Sequence, residues 1–327
     1  MTVPEPDDAD GREAVGPPDG AGSLVRGVPQ SPPRRTRTGG GRAGAGSGRE
    51  ETAAVTIPLV VGVDGSEASL EAVDWAAGEA VRHGVPLHLL HVAARDHEAS
   101  DVIDAASERV RKGAPTVRLS NEVLHEDATA ALLGKGRNAF ALVLGSRGFG
   151  DLAGMLLGSV SLAVAARADC PVVVVRGAAE HRYARFGSIV VGVEEGEGSG
   201  TAVQFAFREA HVRHCRLVAV HAWSAPLDAS DSPRSLPSYT PETRRRPPAR
   251  VLDDALRGAS ERYRDAPVNR RVIEGPARHA LLEAAAEADL LVVGARRRQG
   301  HLGLQLGLVN HAVLHHAPCP VAVVPRI

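Results

Sequence analysis

The chain has 327 residues, a net charge of −1, 43% hydrophobic residues and 3% aromatic residues. Near-neutrality excludes the broad basic field that draws proteins to nucleic acid or anionic membranes, and so few aromatics exclude a base-stacking platform. Three cysteines are too few for a disulfide framework, and no apolar run or signal-type N-terminus points to a membrane, so a cytoplasmic chain is expected.

Residues 1–54 are rich in Pro, Gly, Ala and Arg, with Glu5, Asp7, Asp8 and Asp10 ahead of Arg34, Arg35, Arg37 and Arg42. Lacking apolar periodicity, this segment cannot bury enough surface to offset the entropy of ordering, and it is expected to be a disordered tail. Strand and helix then alternate. Strands are predicted near 58–63, 86–92, 116–124, 139–144 and 171–175. Leu70, Val73, Ala76, Ala77, Ala80 and Val81 recur at helical spacing after the first strand, and Asp127 is a suitable N-cap for the helix after the third.

The same order then repeats. Leu59-Val60-Val61-Gly62-Val63-Asp64 matches Ile189-Val190-Val191-Gly192-Val193-Glu194, and Leu90-His91-Val92 matches Val220-His221-Ala222. Leu142-Val143-Leu144-Gly145 matches Leu291-Val292-Val293-Gly294, and Asp169-Cys170-Pro171-Val172 matches Pro318-Cys319-Pro320-Val321. Two copies of one unit, at 55–177 and 186–327 and joined near Arg176 to Phe186, account for the chain after the tail. The predicted fold is α/β: two tandem doubly wound five-stranded parallel sheets with right-handed crossovers and helices on both faces. Ligands of such sheets sit at the carboxyl ends of strands one and four, where chain direction switches. The Val-rich edges 172–175 and 321–324 are expected to pair with each other. The stretch Ser224 to Arg250, rich in Pro, Ser and Arg, is expected to be disordered, with a partner-docking loop as the alternative.

The fourth strand, Ala141 to Leu144, feeds a loop with glycines at 145, 148, 150, 154 and 158, and then a helix opening with Ser159 and Ser161. Glycines let several backbone N–H groups converge on one anion, and a helix N-terminus adds unpaired donors and the positive end of its dipole. This is neither a Walker A loop, which needs Lys before Ser, nor the dinucleotide fingerprint of a first strand turn. A ligand-free glycine connection is the alternative.

Other clusters carry less. His311, His315 and His316 lack the glutamate of an H-E-x-x-H motif, and His211, His214 and Cys215 lack a second ligand pair, so no metal site is assigned. His125-Glu126-Asp127 could position water or a metal near phosphates, or Asp127 could simply cap its helix. Cys170 and Cys319 precede Pro at the start of a final strand, a packing position. No catalytic residue is assigned.

As a set, Val61-Gly62-Val63-Asp64-Gly65-Ser66, the spacing of Gly145, Gly148 and Gly158-Ser159, and Cys170-Pro171-Val172-Val173-Val174-Val175 resemble the universal stress protein family in its tandem actinobacterial form. The resemblance covers roughly 55–327 and implies an ATP-binding protein with a regulatory stress-response role; accompanying Mg is left open. It places Asp64 beside adenine and ribose, a role compatible with capping the helix near Ser66. It places Val92 against the adenine and Gly145 and Gly148 near ribose and phosphates. Gly158, Ser159 and Val160 would offer backbone N–H groups, and Ser159 its hydroxyl, to the phosphates. Arg147 is either a phosphate contact or a solvated loop residue, and Ser161 either a second donor or ordinary first-turn chemistry. The repeats would face each other as an internal imitation of the family's dimer, with a compact monomer or a further homodimer both open, and any protein partner unknown.

The second copy departs at the positions that matter. Gly294-Ala295-Arg296-Arg297 stands for Gly145-Ser146-Arg147-Gly148, Gly307-Leu308 for Gly158-Ser159, and Glu194 for Asp64, with Glu195 and Glu197 beside it. It is expected to bind ATP weakly or not at all, although Arg296, Arg297 and Arg298 leave another phosphorylated ligand open. Two other readings compete: a ligand-free structural pseudo-dimer, and an adenylating or ATP-pyrophosphatase enzyme. The latter needs an S-G-G-x-D-S-like loop, which Asp64-Gly65-Ser66-Glu67 lacks, and with no general base or arginine-finger arrangement no enzyme activity beyond, at most, slow ATP hydrolysis is expected.

Overall fold

Short Val- and Leu-rich runs bounded by turns become strands buried on both faces, the pattern of a parallel sheet covered by helices. A computed structural model of the chain describes residues 57–93, 96–147, 157–196, 200–224, 246–295 and 306–326. The expected tail at 1–54 lies outside the described residues, as do Gly148 and most of the 224–250 stretch.

The first repeat runs β1 (Leu59–Val63), α1 (Glu67–His83), β2 (Leu87–Val92), α2 (Asp96–Gly113), β3 (Leu119–Leu124), α3 (Ala128–Gly136), β4 (Ala141–Gly145), α4 (Ser159–Arg167) and β5 (Val172–Val175). A short α5 (Ala179–Arg182) lies in the link. The second repeat follows with β6 (Ser188–Gly192), α6 (Gly200–Val212), β7 (Arg216–Trp223), α7 (Pro248–Arg262), β8 (Val268–Glu274), α8 (Ala277–Ala285), β9 (Leu290–Ala295), α9 (Leu308–His316) and β10 (Val321–Pro325). Asp127 caps α3 as its sequence position predicts, its side chain accepting from the Ala130 N–H at 2.8 Å. Helix α7 starts inside the stretch expected to be unstructured. Pro248 sits in its first turn, where a missing N–H removes no bond, and Val251, Leu252, Leu256 and Ala259 bury its inner face.

The two five-stranded parallel sheets are halves of one ten-stranded sheet, ordered β3-β2-β1-β4-β5-β10-β9-β6-β7-β8. The halves join where β5 and β10 pair antiparallel, Val321 opposite Val174 and Val323 opposite Val172. Side-chain alternation along each strand divides the core: Leu59, Val61 and Val63 pack with α1 and α2, whereas Val60, Leu142 and Leu144 pack with α3 and α4. Just beyond the joint, Gly177 has φ +86°, and a Cβ there would lie 1.7 Å from the Pro318 carbonyl oxygen. Only glycine allows the end of the first repeat to lie that close to the backbone of the second.

Helices α1 and α6 occupy equivalent places in the two repeats and share a buried charge cluster. Arg213 Nη2 lies 2.8 Å from Glu79 Oε1, and His83 Nε2 lies 3.1 Å from Glu209 Oε2 and 3.7 Å from Glu79 Oε2. Burial alone would raise the Glu209 carboxyl; the His83 hydrogen bond and charge, with Arg213 and Arg208, outweigh it and hold the group below the usual carboxylate range. Glu79, His83 and Glu209 bring ligand-type atoms within 4.8 Å of one another, but the Arg213 guanidinium already supplies the countercharge a metal ion would bring.

Candidate functional site

Parallel register brings the carboxyl ends of the central strands to one edge. Val63 lies opposite His91, and Val61 opposite Val143, so the chain leaves β1, β2 and β4 side by side. His91 ties this edge together, its buried Nδ1 lying 2.7 Å from the Val63 carbonyl. Val92, half-buried, closes β2 opposite Leu124.

Asp64 is exposed as the chain leaves β1, and its Oδ1 accepts from the Ser66 N–H at 3.0 Å and the Ser66 hydroxyl at 2.6 Å. Ser66, not Asp64, is the N-cap of α1: its Oγ accepts from the Ser69 N–H at 3.2 Å. Asp64 therefore braces the cap and keeps its carboxylate at the rim.

Gly145 has a packing role that the sequence did not reveal. A Cβ there would lie 2.6 Å from the Ala68 carbonyl oxygen and 2.9 Å from the Ser69 nitrogen, so this glycine admits the first turn of α1 against the end of β4. The neck of the glycine loop is latched twice. The Gly158 N–H donates to the Ser146 carbonyl at 2.8 Å, and the buried Ser161 hydroxyl donates to the Gly145 carbonyl at 2.8 Å. Ser161 is thus a structural tie within the site.

Gly158 caps α4 without a side-chain bond, and Ser159 opens the helix with its side chain exposed and Val160 half-buried behind it. The N–H groups of a first turn have no intrahelical acceptor, and the helix dipole adds partial positive charge. The loops after β1 and β4 meet where Ser66 Oγ lies 3.5 Å from the Arg147 carbonyl oxygen; the Arg147 side chain is exposed. Asp64, Gly145, Gly158, Ser159 and Val160 therefore share one edge with Val92 at the neighbouring strand end. Gly148, Gly150 and Gly154 lie outside the described residues. The edge offers backbone donors for an anion and a carboxylate able to accept from hydroxyls.

His125 Nδ1 lies 2.9 Å from the Ala93 carbonyl, and the His311 and His315 rings stack at 4.3 Å. All three cysteines are free and buried, and desolvation pushes Cys170 and Cys215 up to about 11 and Cys319 to about 12.

The second repeat builds the same edge with other residues. His221 Nδ1 lies 2.9 Å from the Val193 carbonyl, as His91 does in the first. Asn310 replaces Ser161, its Nδ2 donating to the Gly294 carbonyl at 2.9 Å. Leu308, 89% exposed, stands where Ser159 does, and Glu194 Oε2 accepts from Arg326 Nη2 at 2.7 Å. Between these strand ends opens a cleft of about 1110 Å³. Its wall residues Trp223, Leu281 and Val293 were not singled out in the sequence; apolar residues at strand ends look there like ordinary core. Glu197 and Arg296 to Arg298 lie outside the described residues.

A parallel order 3-2-1-4-5 built twice and joined edge to edge defines a tandem doubly wound α/β protein. The family model described as Universal stress protein family matches residues 58–176 and 185–325, and the chain belongs to that family, in its tandem-domain form. It is 33% identical over 290 residues to a universal stress protein of Mycolicibacterium smegmatis, covering 82% of this chain and 97% of that one. Universal stress protein Rv2623 of Mycobacterium tuberculosis is 32% identical over 294 residues, with 82% and 96% covered. The crystal structure of a universal stress protein from Archaeoglobus fulgidus superposes with a TM-score of 0.60 at 19% identity, covering 84% of this chain and all of that one, and so shares the fold. Among the described residues no helix is long and apolar enough to cross a membrane.

Proposed function

We propose that the first repeat, residues 55–177, binds ATP and that the protein acts in the cytoplasm as a nucleotide-responsive regulator of the stress-response type. The observation that supports this most is the start of α4, which no side chain caps, held against the end of β4 by the Gly158 and Ser161 bonds and set beside the Asp64 loop. Gly158, Ser159 and Val160 would hold the phosphates through N–H groups and the Ser159 hydroxyl. Asp64 would accept from ribose hydroxyls, and Val92 would lie against the base. ATP supplies a polyanion that a helix N-terminus can hold without a dedicated lysine. Binding to the folded state alone stabilises that state by mass action. The second repeat, residues 186–327, serves chiefly as the structural counterpart, because Leu308 and Glu194 replace the hydroxyl and the shorter acid.

Calorimetric titration tests this reading. One ATP site per chain is expected, weakened about tenfold or more by Ser159→Leu or Gly148→Arg, each of which copies the second repeat into the first. Two equivalent sites, or no heat of binding, would overturn it.

A further inference from the structure

The last helix, α9, carries His311 and His315 four residues apart, one turn on one face. Their rings stack with centroids 4.3 Å apart and planes at 26°, His311 exposed and His315 half-buried. Two imidazole nitrogens bonded at ~2.0–2.1 Å to one transition-metal ion stand ~3 Å apart, so rings this close reach a shared ion by side-chain rotation alone. His315 Nε2 is buried and, among the described residues, has no hydrogen-bond partner. A cation shared with His311 would satisfy that nitrogen, which otherwise carries an uncompensated desolvation cost. The Arg176 guanidinium lies beside this turn but donates to the Leu314 carbonyl. In an H-E-x-x-H motif the two histidines at this spacing are the ligands and the glutamate is the base. Its absence here removes that base and leaves the ligand pair. The other histidine pair of the sequence lacks this geometry. The His211 and His214 rings meet edge-on at 6.4 Å, and His214, with φ +51°, lies beyond the end of α6 at Val212.

We propose that His311 and His315 form a surface binding site for a divalent transition cation of the copper, nickel and zinc class, each ring giving one nitrogen and water filling the other positions. A pair of imidazoles favours this class over Mg²⁺ and Ca²⁺, which take oxygen ligands. The proposal is independent of ATP binding by the first repeat, which can fail without affecting it.

Calorimetric titration of the full-length, nucleotide-free protein with copper(II) chloride in a non-coordinating buffer tests this. Wild type is expected to bind one more Cu²⁺ per chain than the double variant His311→Ala with His315→Ala. Either single variant is expected to weaken that site about tenfold or more, and the two losses should not add, because one ion needs both rings. His311 is exposed, so His311→Ala removes a ligand without disturbing packing, and the circular dichroism spectrum should not change. The electron spin resonance spectrum that wild type shows and the double variant lacks is expected to carry coupling to two nitrogens. His211→Ala with His214→Ala is expected to leave the site intact, and excess Mg²⁺ is expected not to displace the copper. The same number and affinity of copper sites in wild type and in either single variant, loss of the site in the His211 and His214 variant, or displacement by Mg²⁺ would overturn the proposal.

Discussion

Replacing Glu209 with glutamine tests how the two repeats are held together. The residue is 3% exposed on α6, and its carboxylate lies 3.1 Å from His83 Nε2 on α1 and 3.7 Å from Arg213 Nε. Unit charges ~4 Å apart interact by ~4 kcal/mol at an effective dielectric of ~20, and removing one partner of a buried pair typically costs ~3–5 kcal/mol. Glu79 still holds Arg213 at 2.8 Å in the variant, so the low end, about 3 kcal/mol, is expected. That is a large share of a stability of ~5–15 kcal/mol. Urea unfolding at neutral pH should show a lower midpoint with an unchanged slope. The pH dependence follows from the carboxyl being held below its ordinary value in the fold. Its contribution is complete above the unfolded-state value of ~4.3 and is lost as pH falls through the depressed folded value. Wild type and Glu209→Gln should therefore converge in acid. A loss under about 1 kcal/mol at neutral pH, or a gap that persists on acidification, would refute the reasoning.

Two further outcomes follow from packing and burial. In Gly145→Ala the new methyl meets backbone of α1 at 2.6 Å and 2.9 Å, which cannot rotate away, so a loss of about 1–3 kcal/mol in unfolding experiments is expected, with weaker ATP binding in calorimetry because the Ser66 turn moves. The cysteine thiols, raised to about 11, 11 and 12, should stay unreactive toward an aromatic disulfide reagent at neutral pH and should all react once the chain is unfolded; prompt labelling of the native protein would show that the burial is wrong.

Much of the first repeat was legible because its signals are local. Strand positions follow from short apolar runs, the start of α3 from Asp127, and the edge that carries the candidate site from the glycine loop after β4. The roles within that edge were less legible. Ser161 and Ser159 are the same residue type two positions apart in one helix turn, yet one hydroxyl is buried on the Gly145 carbonyl and the other is exposed. Gly145 reads as a ligand-approach glycine in the sequence, and only the structure adds that the backbone of Ala68 and Ser69 packs against it. The start of α7 was hidden because a Pro-Pro pair signals a break wherever its context is unknown.

By itself the sequence determined the repeated α/β plan, the family and the strand ends where a ligand would sit, since periodicity, turn residues and motif spacing are properties of neighbouring positions. Tertiary structure alone decided the rest. The buried cluster joins Glu79 and His83 to Glu209 and Arg213 across 126 positions at its His83–Glu209 contact, and the cleft of the second repeat is walled by strand ends and helices far apart in the chain. Charge pairing and enclosure depend on distances through space, and those exist only after β5 and β10 have joined the two halves into one sheet.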